Sequence, residues 1–147
     1  MIREFKRDRI DKSIFNQCYV NLKELINNHH DYSNEITQKP WGYEYEVFST
    51  ESISIQVLHL NPNSETSFHC HPNKDTCLII LEGEALCRIT LDQYSLYPDD
   101  VLLIEKGVFH KTTALLNPVT LIEIETPNHK NDIVRFQDSY GRVYWNF

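Results

Sequence analysis

Two histidines at alternate positions are the feature of the sequence with the clearest chemistry. His69 and His71 stand two residues apart in the segment FHCHPNKDTCLIILEGEA, residues 68–85. Because a β-strand sends alternate side chains to the same face, the two imidazoles project together while Cys70 points the other way. Imidazole nitrogens are ligands for divalent metals such as zinc. The pair therefore predicts half of a metal site.

A third ligand must come from another strand. His110 is the candidate, because it follows the turn EKGVF and opens an apolar run. Three imidazoles can hold a metal ion and leave positions open for water and substrate.

The elements that must position these histidines are short β-strands. From about residue 41 onward, runs rich in Val, Ile, Leu, Tyr and Phe are each closed by a turn signal. Such runs, with no helix between them, predict an antiparallel all-β sandwich or barrel. The predicted strands lie near 43–49, 53–60, 66–70, 77–82, 84–91, 101–104, 109–116 and 119–125.

The N-terminal part has a different pattern. Apolar residues recur at three- and four-residue steps over 10–26, which predicts a helix over 11–30. We expect a helical arm over 1–37 and one β-domain over 38–147. The apolar stripe of the helix must be covered, either by its own barrel or by a partner's.

Composition excludes several functions. The 147 residues carry a net charge of −7 without a basic stripe, which argues against nucleic acid and anionic membranes as partners. No apolar stretch has the roughly 18 residues of a membrane span, and no secretory signal is visible, so the expected location is the cytoplasm. The four cysteines lack a CxxC pair and are expected to be packed thiols.

The two histidine segments resemble the two sequence motifs of the cupin superfamily. HCHPNKDTCLIILEGEA matches the His-x-His motif that ends in a turn glycine, Gly83, and YPDDVLLIEKGVFH matches the second motif with Gly107 and His110. The resemblance implies a double-stranded β-helix, or jelly roll, with a site in its mouth.

Two flanking segments narrow the resemblance. QKPWGYEYEVF (38–48) and NDIVRFQDSYGR (131–142) are similar to segments beside the cupin core of type II mannose-6-phosphate isomerases. The similarity implies a sugar or sugar-phosphate isomerase in carbohydrate metabolism. It also implies that Arg142, the last residue of Tyr-Gly-Arg, reaches the active site and binds phosphate or another oxyanion.

One motif position departs from the family. The metal-binding Glu of the isomerases falls at Thr76, which is a poor ligand, and the neighbouring Asp75 reaches the site only if it lies in the loop before the strand. The implied ligands are His69, His71 and His110, with Asp75 as a fourth candidate. A site made of histidines favours zinc, iron, nickel or manganese over Mg²⁺ or Ca²⁺.

The remaining candidates concern substrate. Trp41 is either a platform for a sugar or a core residue at the barrel's entry. Lys39 and Lys111 are either anion contacts or solvated surface charges, and Glu44 is the candidate proton carrier.

Three functions are compatible with this pattern. The first is the metal-dependent isomerase, working as a homodimer. The second is a three-His iron dioxygenase, favoured by the missing carboxylate at Thr76. The third is a non-catalytic cupin that binds a sugar or another small molecule, because fold does not decide function.

Overall fold

The structure, a computed structural model, describes residues 9–10 and 35–142. The predicted helix over 11–30 lies outside the described residues. No helix in the described part of the chain is long and apolar enough to cross a membrane. Within 35–142 the chain forms eleven β-strands: β1 Thr37–Lys39, β2 Gly42–Ser49, β3 Ser54–Leu60, β4 Phe68–Cys70, β5 Asp75–Glu82, β6 Ala85–Ile89, β7 Asp92–Leu96, β8 Val101–Ile104, β9 His110–Ala114, β10 Val119–Thr126 and β11 Val134–Gln137.

The strands form two antiparallel sheets. The six-stranded sheet has the order β1-β2-β3-β10-β5-β8, and the five-stranded sheet has the order β11-β4-β9-β6-β7. Strands adjacent in a sheet are mostly distant in the sequence, as in a jelly roll. The predicted all-β double-stranded fold is confirmed.

The core lies between the two sheets. Leu58, Ile80 and Leu121 project from the six-stranded sheet, and Cys87 and Ala114 project from the other, all at most 5% exposed. These residues lie at alternate positions of their strands, as a sheet with one buried face requires. Their burial removes apolar surface from water, which is the main source of stability for such a domain.

The inner face of the six-stranded sheet changes character along its strands. On β10, Val119 and Leu121 belong to the core, and the next two inward positions are Glu123 and Glu125. On the neighbouring β5 the inward residue at the same level as Glu125 is Thr76. The apolar end closes the barrel, and the polar end forms its mouth.

Three strands were not predicted. β7 follows β6 through a two-residue connection in which Ile89 pairs with Asp92. Thr90 occupies the first turn position with a φ of 51°, where such turns usually have Gly. Because no turn residue marks this hairpin, residues 84–91 were predicted as one strand. The other two, β1 and β11, are edge strands of three and four residues.

Candidate metal centre

The three predicted histidines meet inside the barrel mouth. His69 on β4 and His110 on β9 are direct cross-strand partners, and their ring centroids are 4.5 Å apart. His71 follows β4 and lies 5.0 Å from His69 and 5.6 Å from His110, again between ring centroids. All three side chains are buried. The alternation of β4 also turns Cys70 away from the cluster, as predicted.

Backbone carbonyls fix the orientation of each imidazole. Nδ1 of His69 contacts the carbonyl oxygen of Ser67 at 2.7 Å, and Nδ1 of His71 contacts that of Asp132 at 2.6 Å. Nδ1 of His110 contacts a carbonyl oxygen as well, that of Val108 at 3.0 Å. A carbonyl only accepts, so Nδ1 carries the proton in each ring and Nε2 keeps its lone pair. Three Nε2 lone pairs are therefore available to one metal ion.

Burial keeps the three rings neutral. It lowers the pKa of His110 to about 4 and also lowers the pKa values of His69 and His71. A nearby positive charge lowers each pKa further, from neighbouring imidazoles for His69 and His110 and from Lys74 for His71. Neutral imidazole is the form that binds metal, so the cluster needs no deprotonation at neutral pH.

Two carboxylates from β10 complete the acidic side of the cavity. Oε1 of Glu125 lies 3.3 Å from Nε2 of His71, and Oε1 of Glu123 lies 4.0 Å from the same atom. Burial raises the pKa of Glu123 well above its usual value, and the charge of Glu125 and a hydrogen bond between the two carboxyls raise it further. These effects favour the protonated form of Glu123.

A buried lysine balances Glu125. Nζ of Lys74 donates to Oε2 of Glu125 at 2.7 Å, and both side chains are at most 7% exposed. A buried carboxylate is costly unless it is paired and hydrogen-bonded, and Lys74 meets that need. One oxygen of Glu125 is thus held by Lys74, while the other lies next to His71.

The opposite side of the cavity carries two arginines. Arg135 on β11 pairs in register with His69, and its Nε is buried without a hydrogen-bond partner among the described residues. Arg142 lines the same cavity, and its guanidinium donates to Asp138 at 2.7 and 3.0 Å. The cavity, of about 240 Å³, is therefore lined by both acidic and basic side chains.

The predicted substrate residues divide into two groups. Lys39, Trp41 and Glu44 line the cavity, and Lys39 Nζ lies 2.8 Å from Glu44 Oε1. Trp41 also packs in the hydrophobic core, so its side chain belongs to the core and lines the cavity at the same time. Lys111 lies elsewhere, because it neighbours His110 on β9 and points to the other face, where it binds Glu65 at 2.8 Å.

Asp75 is not brought to the histidines. It is the first residue of β5, it is exposed, and its Oδ1 accepts from the backbone N–H of Lys106 at 2.9 Å. Thr76, one residue on, faces the interior and is 3% exposed. Alternation along β5 thus gives the inward position to Thr76.

The residues that sequence reasoning missed are Glu123, Glu125, Lys74 and Arg135 as members of the site. A signal for the two glutamates exists in the sequence VTLIEIET, residues 119–126. Glu123 and Glu125 have the same parity as Val119 and Leu121, which places all four on the core face of one strand. A charged residue on a core face indicates a site more often than a solvated surface.

The donor set fits a divalent transition metal. Nε2 of His71 is buried and makes no hydrogen bond to any described residue, although Glu125 lies beside it. Buried polar atoms are rarely left unpaired, and a metal ion would satisfy this one. Three neutral imidazoles next to a carboxylate suit zinc, iron, nickel or manganese.

Comparison with known proteins places the chain in a family. The family model described as "Mannose-6-phosphate isomerase C-terminal" matches residues 26–138. The chain belongs to this family. The resemblance to the cupins and to the phosphomannose isomerase-like group is thereby confirmed. The family is defined by the domain, and its members differ in what accompanies that domain.

Several curated relatives are longer proteins described as mannose-1-phosphate guanylyltransferases or as xanthan biosynthesis proteins. The chain is 25% identical over 121 residues to the mannose-1-phosphate guanylyltransferase ManC of Salmonella typhimurium, covering 78% of this chain and 25% of that protein. It thus spans about a quarter of the length of the curated relatives of this kind that it matches.

Solved structures confirm the fold. The structure of KdgF from Halomonas sp. superimposes with a TM-score of 0.63 at 17% identity, over 71% of this chain and 94% of that one. The capsular polysaccharide assembling protein CapF from Staphylococcus aureus has a TM-score of 0.62 at 16% identity, over 70% of this chain and 34% of that one. At these identities the similarity concerns architecture alone.

Proposed function

We propose that the chain is a metal-dependent isomerase-like enzyme of carbohydrate metabolism that acts on a small sugar or sugar phosphate. The observation that carries the proposal is the arrangement of His69, His71 and His110. One ligand nitrogen from each ring lies within 4.8 Å of the others, and His69 and His71 line a cavity that also carries acidic and basic side chains. Membership of the family and the sugar-phosphate relatives support the same substrate class.

The histidines would hold zinc, iron, nickel or manganese. When bound, the ion would supply Lewis-acid polarisation to a sugar carbonyl and its neighbouring hydroxyl. The protein's own contribution is orientation, because each imidazole is fixed by a backbone carbonyl. The three histidines and Glu125 are buried, which strengthens the electrostatic contacts among them.

Arg135 and Arg142 would bind the anionic end of the substrate. Arg135 has an unused buried donor, and Arg142 presents the edge of a guanidinium that Asp138 holds in place. Guanidinium groups bind phosphate through paired hydrogen bonds. Lys39 and Trp41 would contact the sugar from the six-stranded sheet. We place no substrate contact at Lys111, which faces away from the cavity.

Proton transfer between neighbouring sugar carbons needs a side-chain base. Glu44 is our candidate, since it lines the cavity and is paired with Lys39 at 2.8 Å. The ion pair with Lys39 holds this carboxylate at the cavity wall. We further propose a cytoplasmic homodimer, with residues 1–37 as a helical arm that precedes the cupin domain in the sequence.

The test follows the proton that moves between C1 and C2. Purified protein with added metal is incubated in D₂O with mannose-, fructose- and glucose-6-phosphate and followed by NMR. We expect deuterium to enter at C2 of an aldose phosphate or at C1 of fructose-6-phosphate, and this exchange to be lost in His71→Ala. Absence of exchange with all three would refute the isomerase proposal.

Two other functions remain as competitors, each with its own observation. Thr76 in place of the family's Glu favours a three-His iron dioxygenase, which would consume oxygen with thiols or diketones when loaded with iron. The small cavity also suits a non-catalytic sugar-binding protein. That function would be supported if ligand-induced melting shifts were unchanged in His71→Ala and no metal were found.

A further inference from the structure

Thr76 and Glu125 occupy equivalent places on neighbouring strands. They are direct cross-strand partners in the register of β5 and β10. Both side chains face the barrel interior, at 3% and 5% exposure. Directly opposed residues of an antiparallel pair have Cβ atoms about 4.5–5.5 Å apart, so a long side chain from either one reaches the same region of the cavity.

The carboxylate of Glu125 lies where a ligand would lie. Its Oε1 is 3.3 Å from Nε2 of His71, and the two buried atoms do not form a hydrogen bond. Two ligands that each stand about 2.0–2.1 Å from a tetrahedral metal are about 3.3 Å apart. The observed spacing therefore matches two donors directed at one ion.

Lys74 orients this carboxylate. It holds Oε2 at 2.7 Å and leaves Oε1 toward the histidines. Metal ligands are commonly fixed by such outer hydrogen bonds. Thr76, in contrast, offers only a neutral hydroxyl, which is a poor metal ligand, and its buried Oγ1 has no hydrogen-bond partner within the described residues.

We propose that Glu125, on β10, is the carboxylate ligand of the metal centre. It supplies from β10 the carboxylate that the family's motif would place at position 76 on β5. The ligand set is then three histidines and one carboxylate. This inference rests on the metal binding in the proposed function. It also removes the missing carboxylate at Thr76 as a reason to favour a three-His dioxygenase.

The experiment measures metal affinity and not activity. Metal-free protein is titrated with zinc in competition with a chromophoric chelator, and with cobalt(II) while its visible absorption is recorded. We expect Glu125→Gln to weaken zinc binding by at least about 10-fold and to change the cobalt spectrum. Glu123→Gln tests the competing carboxylate, which lies 4.0 Å from the same nitrogen, and it should change the affinity less than about 3-fold. Glu65→Gln is the matched control, because Glu65 binds Lys111 and does not line the cavity.

Two double variants extend the test. The first checks that the lost affinity is not caused by misfolding, and the second tests whether a carboxylate at position 76 can replace that of Glu125. Lys74→Met/Glu125→Gln removes both members of the buried ion pair and should bind zinc as weakly as Glu125→Gln. Thr76→Glu/Glu125→Gln restores a carboxylate on the neighbouring strand and should regain most of the lost affinity. If zinc affinity does not recover in that variant, the claim that positions 76 and 125 can supply the same carboxylate ligand is overturned.

The failures of the two proposals are distinguishable. Wild-type protein that binds neither zinc nor cobalt would overturn the metal centre, and this inference with it. If the wild type binds tightly and Glu125→Gln binds equally well with the same cobalt spectrum, only the assignment of Glu125 is overturned. A loss of affinity in Glu123→Gln alone would assign the carboxylate to Glu123 and overturn it too.

Discussion

His71 and Asp132 are joined across the mouth of the barrel, with Nδ1 of His71 2.6 Å from the backbone carbonyl oxygen of Asp132. The carboxylate of Asp132 is in turn held by Asn73, through its backbone N–H at 2.8 Å and its side-chain amide at 2.9 Å. The loop after His71 and the loop before β11 are thus fastened together. The orientation of a candidate ligand depends on this contact.

The first prediction concerns that contact. Asp132→Ala keeps the backbone carbonyl but removes the hydrogen bonds from Asn73, so the carbonyl is positioned less well. We expect zinc affinity to fall by about 10-fold, as is usual for outer-shell partners. Competition titration measures the effect, and Asp92→Ala on the exposed β7 is the control. Unchanged affinity in Asp132→Ala would show that the fastening does not orient His71.

The second prediction concerns metal content. Protein purified without chelator is expected to contain about one divalent metal ion per chain, because ligand nitrogens of three histidines lie within 4.8 Å of one another. His110→Ala should contain much less. His59→Ala is a matched control, since its Nδ1 contacts Thr120 Oγ1 at 3.0 Å and its ring stacks on Tyr43, away from the cluster. Elemental analysis of the three proteins decides the matter, and equal metal in all of them would contradict the triad.

The third prediction concerns the buried ion pair. Lys74→Met leaves the Glu125 carboxylate buried without its cation, and breaking such a pair costs about 3 kcal/mol or more of unfolding free energy. Saturating zinc should restore part of this stability, because the ion supplies a positive partner. Urea denaturation with and without zinc measures both effects. A variant as stable as the wild type without zinc would be the contrary result.

The fourth prediction concerns phosphate. Inorganic phosphate should raise the melting temperature of the wild-type protein, and Arg135→Met should lose most of this rise because its buried Nε is an unused donor. Arg142→Met should lose less, since Asp138 already occupies two of its donors. Arg88→Met is the control, because Arg88 stacks on Phe68 on the outer face at 4.2 Å. An undiminished shift in Arg135→Met would exclude it as the phosphate contact.

The sequence predicts the fold and the histidine cluster well, for a physical reason. Strand alternation is a local property, so the common face of His69 and His71 and the opposite direction of Cys70 follow from spacing alone. The third histidine also opens a strand, and the cross-strand pairing of His69 with His110 confirms that the two motifs meet.

The inward direction of the Glu123 and Glu125 side chains does not follow from spacing alone. Glu123 and Glu125 alternate with isoleucines, and this pattern is equally typical of a strand with one solvated face. Which face is inward depends on the neighbours that β10 acquires from distant parts of the chain, β3 and β5. The hairpin at Thr90 was missed for a different reason, because a threonine with positive φ carries none of the usual turn signals.

The row formed by Ser54, Glu125, Thr76 and Ile104 crosses four strands at one level of the barrel. Positions in such a row are distant in the sequence but occupy one small region of space. The same functional group can therefore be supplied by different strands in related proteins, because each position in the row reaches the same part of the cavity. Any search for divergent members of this fold should compare the chemistry of each level of the barrel, and not the spacing of residues within a single motif.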